Sequence, residues 1–138
     1  MDNEFYLIQY REEIKKGNIV AGQDLIMEID NLIEDLNNPR YYYDPTEAYR
    51  RFDFMENCVR LTKSPFYNKP MKLMLWQKAW IETLYSFKMS ETGFDRFKKT
   101  LLLIARKNTK SETSSGLGLT DLVIGEPGAD IVCSSNDD

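Results

Sequence analysis

One short run restricts this fold more than any other feature: Leu101-Leu-Leu-Ile-Ala105, the longest uninterrupted apolar stretch of the 138-residue chain. It is apolar on both faces, which is the pattern of a central strand in a parallel sheet. A membrane span needs roughly 20 such residues, so no membrane association is expected. The acidic start Met1-Asp2-Asn3-Glu4 has no apolar stretch behind it, and no signal peptide is expected either.

Upstream of Gly93 the pattern is helical. Leu7, Tyr10 and Ile14 predict a helix from Glu4 to about Lys16, stopped by Gly17. Leu25, Ile29, Leu32, Ile33 and Leu36 predict a second from about Gly22 to Asn37, with Pro39 beyond its end. These two are expected to pair as a hairpin. Asp44, Pro45 and Glu47 form a strong start signal for a third helix, whose Ala48, Phe52, Met55 and Val59 share a face. After the proline-bounded loop Lys63–Pro70, a fourth helix from about Leu75 to Phe87 is expected to bury Trp76, Trp80, Leu84 and Phe87 along one stripe. Tyr41, Tyr42 and Tyr43, near Arg40, Arg50 and Arg51, read as packing aromatics more than as a nucleic-acid patch.

The chain contains no histidine, which excludes Ser-His-Asp and Cys-His catalysis and any histidine-ligated zinc. Cys58 and Cys133 stand 75 positions apart without metal-site spacing, and both are expected to be small packed residues. Net charge is −4, unevenly spread. Residues 1–38 hold nine acids against three cations, whereas residues 96–110 hold Arg96, Lys98, Lys99, Arg106, Lys107 and Lys110 with no acid. An acidic chain with one concentrated cationic segment suggests a local anion to hold. Lys98 and Lys99 are expected to flank the strand in solvent.

The segment from Thr100 to Ala105 is therefore read as a strand and Lys110 to about Ile124 as a helix with small residues suited to close packing. Gly125-Glu-Pro-Gly128 is read as a turn and Ala129 to Ser134 as a second strand. Strand, helix, strand in this order makes a βαβ unit. The fold class expected is α/β: a helical N-terminal lead followed by a βαβ unit, with an incomplete parallel sheet. The corresponding division is a helical lead over 1–44, a helical segment over 45–93 and the βαβ region over 94–138. A buried strand, a polar loop and Lys110-Ser111 at a helix start is the order that phosphate binding requires. Helix-start N–H groups and the helix dipole attract the anion, the lysine reaches the terminal phosphates, and the serine hydroxyl holds Mg²⁺. Against GxxxxGK[ST] the match fails at Ile104 and Thr109, both in glycine positions. If the second position needs φ > 0, threonine there costs on the order of 1–3 kcal/mol.

Ile104-Ala-Arg-Lys-Asn-Thr-Lys-Ser111 resembles the variant Walker A motif of bacteriophage terminase large subunits, where Ala-Arg-Lys-Asn-Gly-Lys-Ser is common. Phe54-Met-Glu-Asn-Cys58, then Pro70 and Leu75-Trp-Gln-Lys78, is similar to the segment leading into that ATPase domain. Gly128-Ala-Asp-Ile-Val-Cys-Ser-Ser135 is similar to its next strand. The resemblance covers roughly residues 45–138, and it implies that the βαβ unit is the first of a P-loop NTPase, with 45–93 the helical segment leading into the ATPase domain and 94–138 a partial P-loop ATPase domain. It implies a viral genome-packaging motor that binds ATP and Mg²⁺, hydrolyses ATP to move double-stranded DNA, cuts that DNA, and works with a portal and a small terminase subunit in the cytoplasm of a bacterial host. Carried over by position, Lys110 binds phosphate, Ser111 binds phosphate and the metal, and Arg106 senses or stabilises the γ-phosphate as the catalytic residue. Lys107, Asn108 and Thr109 complete the phosphate loop, and Gln77 matches an adenine-recognition glutamine.

No Walker B acidic pair and no nuclease carboxylate cluster follows. The chain is therefore expected to be an N-terminal piece that binds nucleotide weakly and does not turn it over. The alternative is a non-catalytic, mainly helical protein-interaction module, in which residues 99–112 are irregular surface or part of a helix.

Overall fold

The computed structural model describes residues 4–105, 109–132 and 134. Those residues form five helices and one two-stranded antiparallel sheet, so the chain is mixed α/β. In order these are α1 (Tyr6–Lys15), α2 (Gln23–Asp35), β1 (Tyr41–Tyr43), α3 (Thr46–Cys58), α4 (Leu75–Ser86), β2 (Phe87–Met89) and α5 (Lys110–Ile124). The chain divides into two compact units, Met1–Phe52 with Leu73–Leu102, and Asp53–Lys72 with Leu103–Asp138.

In the first unit, α1 and α2 pack together as expected of two amphipathic helices joined by a glycine-bearing turn. The Arg11 guanidinium grips both oxygens of Asp30, at 2.6 and 3.1 Å, and fixes their pairing. Leu7, Ile29, Leu32 and Phe87 form the buried cluster, with Tyr10, Ile14, Ile33, Leu36, Tyr41, Tyr43 and Phe97 around it. The three tyrosines make β1, in register with β2 as Tyr41–Met89, Tyr42–Lys88 and Tyr43–Phe87. Tyr41, Tyr43 and Phe97 each meet the Phe87 ring edge-on, which is a favoured aromatic geometry. The tyrosine run is therefore packing. Asp44 Oδ1 accepts from the Thr46 N–H at 3.1 Å, at the start of α3, as the sequence implies.

Helix α4 departs from expectation. Trp76, Trp80 and Leu84 are only half-buried, and the enclosed residues are Gln77, Ala79, Ile81, Glu82, Thr83 and Ser86. An amphipathic-stripe reading assumes that buried means apolar. Here Gln77, Glu82 and Thr83 are enclosed together with the hydrogen bonds that satisfy them. Glu82 is the central case, with no solvent exposure at all. Its Oε1 accepts from the Leu7 N–H at 3.1 Å and the Tyr43 hydroxyl at 2.8 Å. Its Oε2 accepts from the Tyr6 N–H at 3.1 Å, and the Tyr49 hydroxyl also bonds to the carboxyl. A carboxylate from α4 thus caps α1, whose own N-cap residue, Phe5, has no side chain suited to it.

In the second unit, the end of α3 and the segment after it pack on α5. A Cβ added to Gly116 would lie 3.0 Å from Met71 Sδ and 3.2 Å from Met55 Cε. Gly118 faces Ile131 in the same way, at 3.5 Å. The small residues of α5 serve close packing, but against side chains and not against a sheet. The strands expected at Thr100–Ala105 and Ala129–Ser134 are not formed among the described residues, and residues 101–105 are not helical either. The one sheet present is antiparallel and lies elsewhere in the sequence, so the parallel arrangement expected is not seen. The reason is physical: a strand exists only by pairing, and 101–105 has no ladder neighbour among the described residues. Leu101 and Leu103 are accordingly 79% and 82% exposed, not enclosed on both faces. Cys58 is also exposed, contrary to expectation, because it falls on the last residue of α3 outside the apolar face. Cys133 lies outside the described residues.

Glu82→Ala strands two helix-start N–H groups and two hydroxyls, and is expected to cost about 3 kcal/mol in urea unfolding. Burial outweighs the four donors and holds the Glu82 carboxyl above its ordinary value of 4.5. A raised folded-state value means that folding takes up a proton. The Glu82 contribution to stability therefore grows as pH falls from neutral toward 4.5 and is lost as pH rises. Glu82→Gln should abolish this component in unfolding curves compared across that range.

Candidate functional site

The cationic segment separates into parts with different roles. Arg96 is not available to an external anion. Its Nη2 pairs with Asp35 Oδ2 at 2.7 Å, and its guanidinium stacks 4.0 Å from the centroid of Tyr41. That bond and stack make it a packing residue of the first unit. Lys98 and Lys99 are exposed, as expected, but the strand they were expected to flank is not formed among the described residues. Arg106, Lys107 and Asn108, expected as the γ-phosphate arginine and the middle of a phosphate loop, lie outside the described residues.

The remaining predicted residues are Thr109, Lys110 and Ser111, contiguous in the second unit. Helix α5 begins at Lys110, the position the sequence gives. Thr109 is its N-cap and adopts φ +59°, ψ +16°, the left-handed conformation that glycine reaches without cost. Its carbonyl accepts the first helical bond, from the Thr113 N–H at 2.8 Å, and also a bond from Thr113 Oγ1 at 2.8 Å. Thr113 is fully buried, so these bonds are held from inside the unit. The Thr109 side chain makes no capping bond to the first turn. The first-turn N–H groups of α5 have no acceptor within the helix, and they carry the positive end of its dipole. The Lys110 and Ser111 side chains are both exposed beside them. One carboxylate, Glu112, stands in this first turn and reduces the local positive potential.

Gln77 belongs to the first unit, apart in sequence from this segment. It is 2% exposed, and its Oε1 accepts from the Met74 N–H at 2.6 Å, so it closes the start of α4. Its position at the third residue of the helix explains this use, which reading it as an adenine-contacting side chain did not foresee. Glu82 is the other residue that sequence reasoning passed over. Its signal was present: it is the one acid between Leu75 and Phe87. Among the described residues, no group of three or more His, Cys, Asp or Glu side chains is placed to hold a metal ion. No helix of the described residues is long and apolar enough to cross a membrane.

Comparisons with protein-family models, with curated proteins and with solved structures give no match.

The strain at Thr109 is open to measurement. Thr109→Gly removes the steric cost of the left-handed conformation and loses no capping bond, while adding freedom to the unfolded chain. The net expectation is a gain of about 1 kcal/mol in urea unfolding followed by helical circular dichroism. Thr109→Val retains the β-branch and is expected to show no such gain.

Proposed function

We propose that this chain carries the phosphate-binding start of a P-loop ATPase of the terminase type, the N-terminal ATPase part of a viral DNA-packaging motor. The observation that carries this reading is Thr109 at φ +59° immediately before Lys110-Ser111 at the start of α5. A phosphate loop needs its backbone to turn in the left-handed region there, so that successive N–H groups point at one anion. This chain makes that turn with a β-branched residue, where the conformation is costly and would be avoided in an indifferent surface loop. In this reading Lys110 supplies the ammonium to the β- and γ-phosphates, and Ser111 Oγ joins the phosphates as a ligand of Mg²⁺. Magnesium held by substrate oxygens plus one hydroxyl needs no carboxylate cage. Arg106 would meet the γ-phosphate, with Lys107 and Asn108 contributing backbone donors. The adenine contact proposed for Gln77 competes with its bond to Met74. Double-stranded DNA, a portal and a small terminase subunit are the partners this reading implies, in the bacterial cytoplasm.

A second reading rests on one observation. Residues 101–105 are neither strand nor helix, and Leu101 and Leu103 are exposed. That is what a helical interaction module with an irregular apolar segment would present. The two readings diverge on nucleotide.

Titration of the full chain with Mg·ATP, followed by backbone amide resonances, is expected to give weak but saturable shifts centred on Thr109, Lys110, Ser111 and Glu112. Lys110→Ala should weaken binding by about tenfold or more, equivalent to about 1.4 kcal/mol, with the fold unchanged by circular dichroism. Ser111→Ala should reduce the dependence on Mg²⁺. Absence of saturable shifts at millimolar nucleotide, or shifts indifferent to Lys110→Ala, removes the phosphate site and leaves the interaction module.

A further inference from the structure

The segment from Val59 to Lys72, which follows α3 in the second unit, is built as an antiparallel hairpin. The Met71 N–H donates to the Val59 carbonyl at 3.0 Å, the Leu61 N–H to the Lys69 carbonyl at 3.0 Å, and the Asn68 N–H to the Leu61 carbonyl at 2.8 Å. Arg60 and Pro70 face each other between these bonds. Two-residue alternation then sorts the side chains. Val59 and Met71 are buried, Met71 against Gly116 of α5, while Arg60, Pro70 and Lys72 are exposed. Asn68 closes the tip in the left-handed conformation at φ +61°, which asparagine tolerates better than most residues. The hairpin is therefore anchored at its base and presents its tip outward.

That tip carries two aromatic rings, Phe66 at 55% and Tyr67 at 72% exposure. Four cations accompany them, Arg60, Lys63, Lys69 and Lys72, and no acid occurs between Val59 and Lys72. All four are exposed, and none has a carboxylate partner among the described residues. By contrast, Arg11 is paired with Asp30, Lys16 with Glu13, Arg51 with Glu47 and Arg96 with Asp35. Lys69 Nζ instead stands 5.5 Å from the centre of the Phe66 ring, so cation and ring are presented together.

We propose that this hairpin is a binding surface for single-stranded nucleic acid, with bases stacking on Phe66 and Tyr67 and the phosphates meeting Arg60, Lys63, Lys69 and Lys72. Exposed aromatics among unpaired cations are what a flexible polyanion with planar bases engages. A duplex offers the phosphates but keeps its bases stacked, so it satisfies the cations alone. An anionic membrane is the poorer fit. Only one hydrocarbon ring is available for insertion, whereas Tyr67 and Asn68 bring polar groups to the same tip. The chain is acidic overall, so its net charge of −4 does not itself attract nucleic acid. This inference stands apart from the ATP reading and uses none of its residues.

The test is fluorescence anisotropy of a labelled oligothymidylate with the full chain, over a range of salt. Saturable binding is expected, with log K falling against log salt at a slope of about −3, from four contacts at about −0.7 each. Phe66→Ala with Tyr67→Ala, which removes both stacking platforms, should weaken binding about thirtyfold or more at unchanged salt slope. Lys63→Ala with Lys69→Ala should flatten the slope by about 1.4. Lys15→Ala, on α1, should change neither. All these side chains are exposed, and circular dichroism checks that each variant keeps its fold. Four results would each overturn the proposal: no binding at low salt, binding indifferent to the aromatic pair, equal affinity for a matching duplex, or preference for phosphatidylserine vesicles over the oligonucleotide.

Discussion

A buried carboxylate organises the first unit. Glu82 has no contact with solvent, and moving a charged group from water into such a place is costly unless its oxygens are satisfied. Four donors satisfy it: the Tyr6 and Leu7 N–H groups and the Tyr43 and Tyr49 hydroxyls. They come from α1, β1 and α3, so one side chain of α4 fixes three elements at once. The N-terminus of α1 is the natural partner, because its unpaired N–H groups carry partial positive charge where the carboxyl carries negative. The tyrosines respond in turn. Burial first, and then the adjacent Glu82 charge, push the Tyr49 hydroxyl up to about 12, and Tyr43 is raised for the same reasons. These hydroxyls remain protonated donors at any ordinary pH. Because each donor is needed to offset the burial of one carboxyl, the network has little tolerance for losing a member.

Much of the helical framework is legible in the sequence because its causes are local. Apolar spacing of three and four, an Asp-Pro start and glycine stops act within a few residues. Helix α5 begins at Lys110 and ends at Ile124, the limits the sequence gives. The misreadings at Glu82 and at Leu101–Ala105 concern partners distant along the chain. Glu82 and Leu7 are 75 residues apart, and nothing near Glu82 announces that a helix start will enclose it. The same holds for Leu101–Ala105. Its composition is that of a buried strand, yet composition does not supply the neighbouring strand, and without one the leucines remain in solvent. Of the segment proposed to bind phosphate, the sequence indicates the helix start at Lys110. It identifies the backbone problem at Thr109 but not its solution.

The cations illustrate a further distinction that residue counts conceal. In the first unit Arg11, Lys16, Arg51, Lys88 and Arg96 all have carboxylate partners, and Arg96 is additionally stacked on Tyr41. Such pairs contribute little to stability when exposed, but each one reduces the local potential that would attract an anion. In the Val59–Lys72 hairpin and at Lys110 the cations are exposed. A sequence window that counts Arg96 with Lys110 treats as one patch a group that is paired and stacked and a group that is exposed. Pairing, more than local charge density, determines which lysines and arginines can engage something outside the chain.

Thr109 raises the question of how an unfavourable conformation is held. A left-handed φ at a β-branched residue costs on the order of 1–3 kcal/mol. The two bonds from Thr113 to the Thr109 carbonyl return about 1 kcal/mol each. They also do something glycine could not do alone. Since Thr113 is enclosed by the unit and the helix propagates from the same carbonyl, the direction of that carbonyl is set from the helix side. The residue then has to accept whatever φ joins the incoming chain to the helix. A glycine there would be free to adopt the turn and equally free to leave it. Here the turn is imposed by packing downstream, so the backbone shape depends on α5 remaining docked against Met55 and Met71. A helix start built this way couples the geometry available to an anion to the integrity of the second unit, which the permissive residue of an ordinary phosphate loop would not require.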